Sequence, residues 1–412
     1  MTRAATAPFP PELSALVVLL RQARGRAVSE EAREALSKVG DWPWFVSLAC
    51  QHGILSALPP DLFSASPDAL GQAMPETARA SLSEKRRRQT FRALHQIAAL
   101  RRLAGIMSKA DIPVLAFKGP LLSQALFNDP THRAGTDLDV LVGDTHVPAA
   151  DRCLRANGYQ RILPARPLSP LQTRLFMARD CAMTYMRDGV SIDLHWRLFE
   201  NPHLLDVPFE QLRAGSRDQS AAGAPLHHPD GPDLLLYLAL HAAKHQWLSL
   251  KWLEDSAAFV ETHPPEVLEH AIARARRSGV APALLATLDL AERLVGGPAA
   301  PPSTDAGEKR HRCSLVAMGL RTLATAGDRK NNANPVFAAQ IFLQQGALKR
   351  SVRYRIRALL RWLINPKDWD AIPLPPFLFP LYLVLRPVLW VYNRLRHWRE
   401  GRRHPPGPIS KP

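Results

Sequence analysis

Cysteine is scarce in this 412-residue chain, and acidic residues are outnumbered. The four cysteines, Cys50, Cys153, Cys181 and Cys313, stand far apart in sequence and none belongs to a CxxC pair. That argues against a disulfide framework and against a cysteine-built zinc site, and it leaves free thiols in a reducing compartment as the expectation. Long apolar runs are also missing near the start, where residues 16–20 form only a short one, so no signal peptide is expected. Asp and Glu number 37 against 53 Lys and Arg, giving a formal net charge of +16. Such an excess suits an anionic partner: a nucleotide, a nucleic acid or a membrane surface. A bacterial composition rich in Arg, Ala, Leu and Pro would produce the same excess, so charge alone does not choose. No RRM, KH or OB signature accompanies it, which argues against a nucleic-acid partner. What is present in quantity is core material. Hydrophobic residues make up 46% of the chain, including nine Trp, enough for one large core or several smaller ones.

Periodicity divides the chain. Residues 10–110 read as helical, with helices predicted over 44–58 and over 77–110 and a basic run at Lys85-Arg86-Arg87-Arg88. The texture then changes. A short apolar strand is expected over 112–117, ending at Lys118-Gly119-Pro120, and a short helix over 121–127. A strand follows over 136–142, then a helix over 147–157 closed by Gly158. Two strands, 181–187 and 190–196, flank Asp188-Gly189, a strong hairpin signal. Residues 112–197 therefore read as a compact α+β unit. Helical spacing returns over 234–246, 253–262, 265–278, 281–294, 310–326, 335–345 and 349–363, with 296–308 as the best linker by composition. The expected division is a helical region over 1–110, an α+β core over 111–215, a helical substrate-side domain over 216–348 and a basic, apolar region over 349–412.

The chemistry concentrates in the α+β unit. On a strand, alternation places Asp137 and Asp139 on one face and Leu138, Val140 and Val142 on the other. Two same-face carboxylates repel unless they are exposed or a cation lies between them. In the later strand Asp193 and His195 share a face opposite Ile192, Leu194 and Trp196. If the strands are neighbours, Asp193 completes a three-carboxylate cluster. Such a cluster suits Mg²⁺, a hard ion that also binds phosphates, with Mn²⁺ as the alternative. The turn at Gly119 lets backbone N–H groups approach a phosphate, and Lys118 and Arg133 would neutralise a triphosphate. His195 reads either as a phosphate or substrate contact or as a histidine packed beside Trp196. His241 and His245 share a helix face, but no Glu or Cys completes a zinc set. Contact with nucleotide or acceptor, or a structural polar seam, stays open for them and for Lys244, Trp252 and Asp255.

The stretch AFKGPLLSQALFNDPTHRAGTDLDVLV, followed by SIDLHWRLF, resembles the DNA polymerase β-type nucleotidyltransferase superfamily, and within it a bacterial branch of uncharacterised nucleotidyltransferases. That superfamily has a Gly at a strand–helix turn, Asp-x-Asp on the next strand and a third acid on a later one. The segments LHAAKHQW and LKWLEDSA also resemble that branch. The resemblance implies a small mixed-sheet α+β core flanked by helical regions. It implies Asp137 and Asp139 as shared metal ligands, Asp193 as the third acid and Gly119 as the phosphate-turn glycine. It implies transfer of an NMP group from an NTP such as ATP, with Mg²⁺, to an acceptor the sequence does not name: a small molecule, a glycan precursor or a protein. One departure is Gly119-Pro120, where the superfamily has Gly-Ser or Gly-Gly. Proline brings neither N–H nor hydroxyl, so one phosphate contact is missing. That favours a second reading, a non-catalytic binding or scaffold protein on the same fold.

Residues 372–393 are strongly apolar, carry one charge, Arg386, and are interrupted by prolines between basic flanks. With Trp390, Tyr392 and Trp398 they resemble an interfacial anchor, so peripheral membrane contact through 372–398 is set beside packing on the helical domain. The expected location is cytoplasmic, with the inner membrane surface as the place of that contact.

Overall fold

In the computed structural model, residues 9–133, 135–218, 226–325 and 345–363 are described, together with scattered positions between 368 and 389. The fold is α+β. Helices α1 (Pro11–Ala23), α2 (Ser29–Ser37), α3 (Trp42–His52) and the long α4 (Glu76–Lys109) precede strand β1 (Leu115–Ala116). Then come α5 (Pro120–Phe127), β2 (Asp137–Leu141), α6 (Val147–Ala156), β3 (Gln160–Leu163), α7 (Pro170–Arg179), β4 (Ala182–Arg187) and β5 (Val190–His195). Helix α8 (Phe209–Ala214) and strands β6 (Ser216–Asp218) and β7 (His227–Pro229) lead into α9 (Pro232–Lys244), α10 (Leu250–Thr262), α11 (Pro265–Arg277), α12 (Ala281–Val295), α13 (Ala306–Thr325) and α14 (Val352–Leu363).

The strands form one mixed seven-stranded sheet in the order β3-β4-β5-β2-β1-β7-β6. The β4–β5 hairpin turns at Asp188-Gly189, whose φ values of 50° and 74° are those of a two-residue turn matched to strand twist. β2 and β5 run parallel, with Asp139 opposite Asp193 and Leu141 opposite His195. The two sheet faces pack differently. Leu138, Val140, Ile192 and Leu194 point into a core shared with α4, α6 and α7. Leu115, Phe117 and Leu141 belong to the larger core built from α1–α3 and α9–α13. The carboxylate face of the sheet is therefore the one turned toward the helical mass.

Several expectations change. The helix expected over 44–58 ends at His52, because Gly53 takes φ 67° and Ile54 N–H returns to Ala49 C=O at 3.2 Å, a left-handed helix stop. The strand expected over 112–117 shrinks to Leu115–Ala116. Helix α7 carries no strong apolar period; a reciprocal Ser169–Gln172 capping box starts it. The sheet also reaches beyond residue 197, since β6 and β7 extend it past β1. The three residues of β7, His-His-Pro, carry no alternation that marks a strand. The helix expected over 335–345 lies outside the described residues, apart from its last position.

His228 on β7 is 1% exposed, and its Nδ1–H donates to Ala116 C=O at 2.8 Å. Burial pushes its pKa down to about 4. Above pH ~6.5, the unfolded value, both states are neutral and the group adds no pH dependence. Below that, the unfolded chain takes up a proton that the native state refuses until pH about 4, so stability falls as pH descends through this window. Urea unfolding at pH 7 and pH 5 should show a pH-dependent loss smaller by about 2 kcal/mol in His228→Gln than in the parent. Equal losses would show that His228 does not remain neutral in the fold.

Candidate metal and phosphate site

Parallel pairing in register sets the site. Asp139 and Asp193 are Cα partners on β2 and β5, and each is 7% exposed. Neighbouring strands lie about 4.8 Å apart, so two same-face carboxylates are held side by side. His195, two residues beyond Asp193 on the same face, points its Nε2 at Asp139 Oδ1, 3.1 Å away. Asp139, Asp193 and His195 offer ligand atoms that all lie within 4.8 Å of one another, the group of metal-competent side chains that converges among the described residues. Asp137 is placed at the start of β2, half-buried, where Thr136 Oγ1 donates to it at 3.0 Å, and it is not part of that group.

The surrounding groups compensate the negative charge. Lys118 Nζ lies 3.6 Å from Asp139 Oδ1. Thr184 Oγ1 donates to Asp193 Oδ1 at 2.7 Å. Burial opposes a charge on His195, yet hydrogen bonds to Asp139 and Cys181 raise its pKa to about 10. Its Nδ1 faces Arg197 C=O at 3.3 Å, so both ring nitrogens meet acceptors, as an imidazolium requires. Phe117 stands edge-on to His195 with ring centres 5.0 Å apart. Gly119 takes φ 70°, ψ −147° as the residue before α5, a conformation that glycine alone adopts readily. Pro120 is the first residue of that helix, where the N–H would have no intrahelical partner, so the helix tolerates it. The cost falls on anion binding, which loses one donor at this helix start.

Two cations expected at the phosphates are engaged elsewhere. Arg133 Nε reaches both carboxylate oxygens of Asp255 on α10, at 2.9 and 2.8 Å, with both residues buried. Burial alone would lower the Arg133 pKa; Asp255 overrides it and the net direction is upward. Lys244 reaches Glu200 at 2.7 Å, and although burial disfavours that carboxylate, Lys244 and Arg361 hold it far below the ordinary range.

Lys251, one helical turn before Asp255, did not stand out in the sequence. Burial, with Arg133 adding, lowers its pKa to about 8, while Asp255 and Asp137 pull it back. The available signal was its four-residue spacing from Asp255 on one helix face. His241, His245 and Trp252 pack ring against ring, with centre separations of 4.7 Å between the histidines and 5.3 Å from each to Trp252. Burial drives the His241 pKa well below 6.5.

The Arg133–Asp255 pair ties the loop before β2 to α10. Asp255→Ala leaves a buried guanidinium uncompensated and should destabilise the protein by about 3–5 kcal/mol in urea unfolding. Arg133→Met/Asp255→Leu should recover most of that loss. A single variant that loses under about 1 kcal/mol would mean that water replaces the carboxylate.

Comparison with curated proteins and with solved structures gives no match. A family model described as uncharacterised nucleotidyltransferase matches residues 38–296, a span that contains the carboxylate strands, the Gly119 turn and helices α9 to α12. The match covers more than half of the chain, and the protein accordingly belongs to this family of uncharacterised nucleotidyltransferases.

Proposed function

We propose that the protein is a divalent-cation-dependent nucleotidyltransferase that moves an NMP group from an NTP to an acceptor hydroxyl. The observation that carries this reading is the in-register Asp139–Asp193 pair, with His195 within 4.8 Å and Lys118 at 3.6 Å from Asp139. The donor set fits a divalent ion: two buried carboxylates converge at one point of a sheet face, with the His195 ring beside them. Asp139 and Asp193 would hold it, with Asp137 adding a carboxylate from the mouth of the strand. Mg²⁺ suits these oxygen donors, and Mn²⁺ is the alternative. When bound, the ion supplies positive charge to the phosphate oxygens during an in-line displacement.

The chain's own groups supply the rest. The acceptor oxygen bonds to the α-phosphorus, the bond to the β-phosphate oxygen breaks, and pyrophosphate leaves. Asp193, fixed by Thr184, is the carboxylate proposed to take the acceptor's proton. Lys118 faces the triphosphate, and Gly119 lets the backbone approach it. His195 orients Asp139 through its 3.1 Å contact. Arg133 and Lys244 act through their ion pairs, by holding α10 and α9 against the sheet. The likeness to the polymerase β-type superfamily and the four-part division of the chain belong to the same proposal.

The second reading, a non-catalytic protein on this fold, is favoured by Pro120, which removes one phosphate donor. Also proposed are a cytoplasmic location and contact with the inner membrane surface through 372–398. Among the described positions of that stretch, Tyr382 and Leu389 are buried in the sheet core, while residues 390–398 lie outside the described structure.

Mn²⁺ binding read by electron paramagnetic resonance, with and without each NTP, tests the assignment. Asp139→Asn and Asp193→Asn should abolish the bound signal, and His195→Gln should weaken it roughly tenfold. Binding unchanged in both Asp variants would sink the site. Pyrophosphate release in the presence of NTP and acceptor pools separates the two readings: nucleotide and metal binding without any release supports the scaffold.

A further inference from the structure

Helix α14 is mounted inside out. Its sequence, VRYRIRALLRWL, holds one aliphatic stripe, with Val352, Ile356 and Leu359 at helical spacing and Leu360 beside them. In a packed helix that stripe would face the core. Here Val352 is 72%, Ile356 52% and Leu359 46% exposed. The inward face is polar. Arg361 pairs with Glu200 at 3.4 Å and with Asp180 at 3.5 Å, and its C=O accepts from Arg179 Nε at 3.2 Å. Arg357 donates to Ala178 C=O, and Tyr354 C=O accepts from Asn201 Nδ2 at 2.9 Å. The buried Tyr354 ring is the inward apolar anchor, its hydroxyl donating to Gln345 C=O at 2.9 Å. Ion pairs thus fix the helix with its oily side outward.

Along the chain, the charge beside that stripe is almost all of one sign. At roughly 100° per residue, Arg353 and Arg355 flank it on either side, and both are exposed. From Gly346 to Arg399 the acidic residues are Asp368 and Asp370 alone, and Asp368 is buried against Arg386 at 3.0 Å. Another run of exposed aliphatics follows at Leu381, Val384 and Val388, on a segment whose Tyr382 and Leu389 are anchored in the sheet core. Among the described residues no helix is long and apolar enough to cross a membrane. An exposed aliphatic stripe bordered by arginines, on a helix of low overall hydrophobicity, has the chemistry of a segment that lies in the headgroup layer of an anionic bilayer.

We propose that α14 docks the protein on an anionic lipid surface, with Val352, Ile356, Leu359 and Leu360 entering the interface and Arg353 and Arg355 meeting lipid phosphates. This docking is independent of the chemistry at the carboxylates. It deepens the expectation for 372–398 by naming a different, rigidly anchored element as the contact.

The test is co-sedimentation of the full chain with vesicles of phosphatidylcholine mixed with phosphatidylglycerol, against vesicles of phosphatidylcholine alone. The parent protein should pellet with the anionic vesicles and stay in solution with the neutral ones. Ile356→Ser/Leu359→Ser changes exposed side chains, so its thermal midpoint should be unchanged while its partition falls roughly tenfold or more. Arg353→Glu/Arg355→Glu should lose binding and its salt sensitivity together, and it serves as the second variant should the first fail to fold. The proposal is overturned if the parent ignores anionic vesicles or if both variants pellet as the parent does. Sedimentation velocity covers the rival occupant: a parent dimer that Ile356→Ser/Leu359→Ser converts to monomer, with no vesicle binding, assigns the face to a second copy and also overturns it.

Discussion

Asp139 and Asp193 are forced side by side by parallel strand pairing, on a sheet face that helices cover. At a strand spacing of about 4.8 Å and an effective dielectric of about 20, two such charges repel by about 3 kcal/mol. Lys118 and the His195 imidazolium bring positive charge to the pair, and Thr184 contributes a hydroxyl. A fold that sets two buried carboxylates in register concentrates negative charge at one place, which Lys118 and His195 offset in part. The carboxylate pair suits a divalent ion and the phosphates it accompanies, and the family membership agrees with it.

The same face must also be held against the helical mass. Two ion-pair systems do this. Arg133 to Asp255 fastens the loop before β2 to α10. Glu200, just past β5, collects Lys244 from α9 and Arg361 from α14. Each system removes a basic residue from direct service at the phosphates and uses it to orient an element that borders the site. α14, held by its arginines, is the element whose apolar side is left facing out.

Much of this architecture follows from local pattern. The Asp188-Gly189 hairpin, the alternation in TDLDVLV and SIDLHW, and the helices between residues 232 and 325 have causes that lie within a few residues of each other, and the structure contains them. Elements without such a local cause were not legible. β7 is a strand because β1 offers it a free edge, and α3 stops at Gly53 through a backbone conformation that an apolar period does not reveal.

The sequence by itself determined which side chains share a strand face, hence that Asp139 would stand with Asp137 and Asp193 with His195, because side-chain direction alternates with every residue. Tertiary structure decided which of them meet. Strand register brought Asp139, Asp193 and His195 together and set Asp137 at the edge. It also gave Arg133 a carboxylate 122 residues away in sequence. Charge is legible in a sequence, but a cation's partner is fixed by packing of distant elements, where burial makes an unpaired charge too costly to leave.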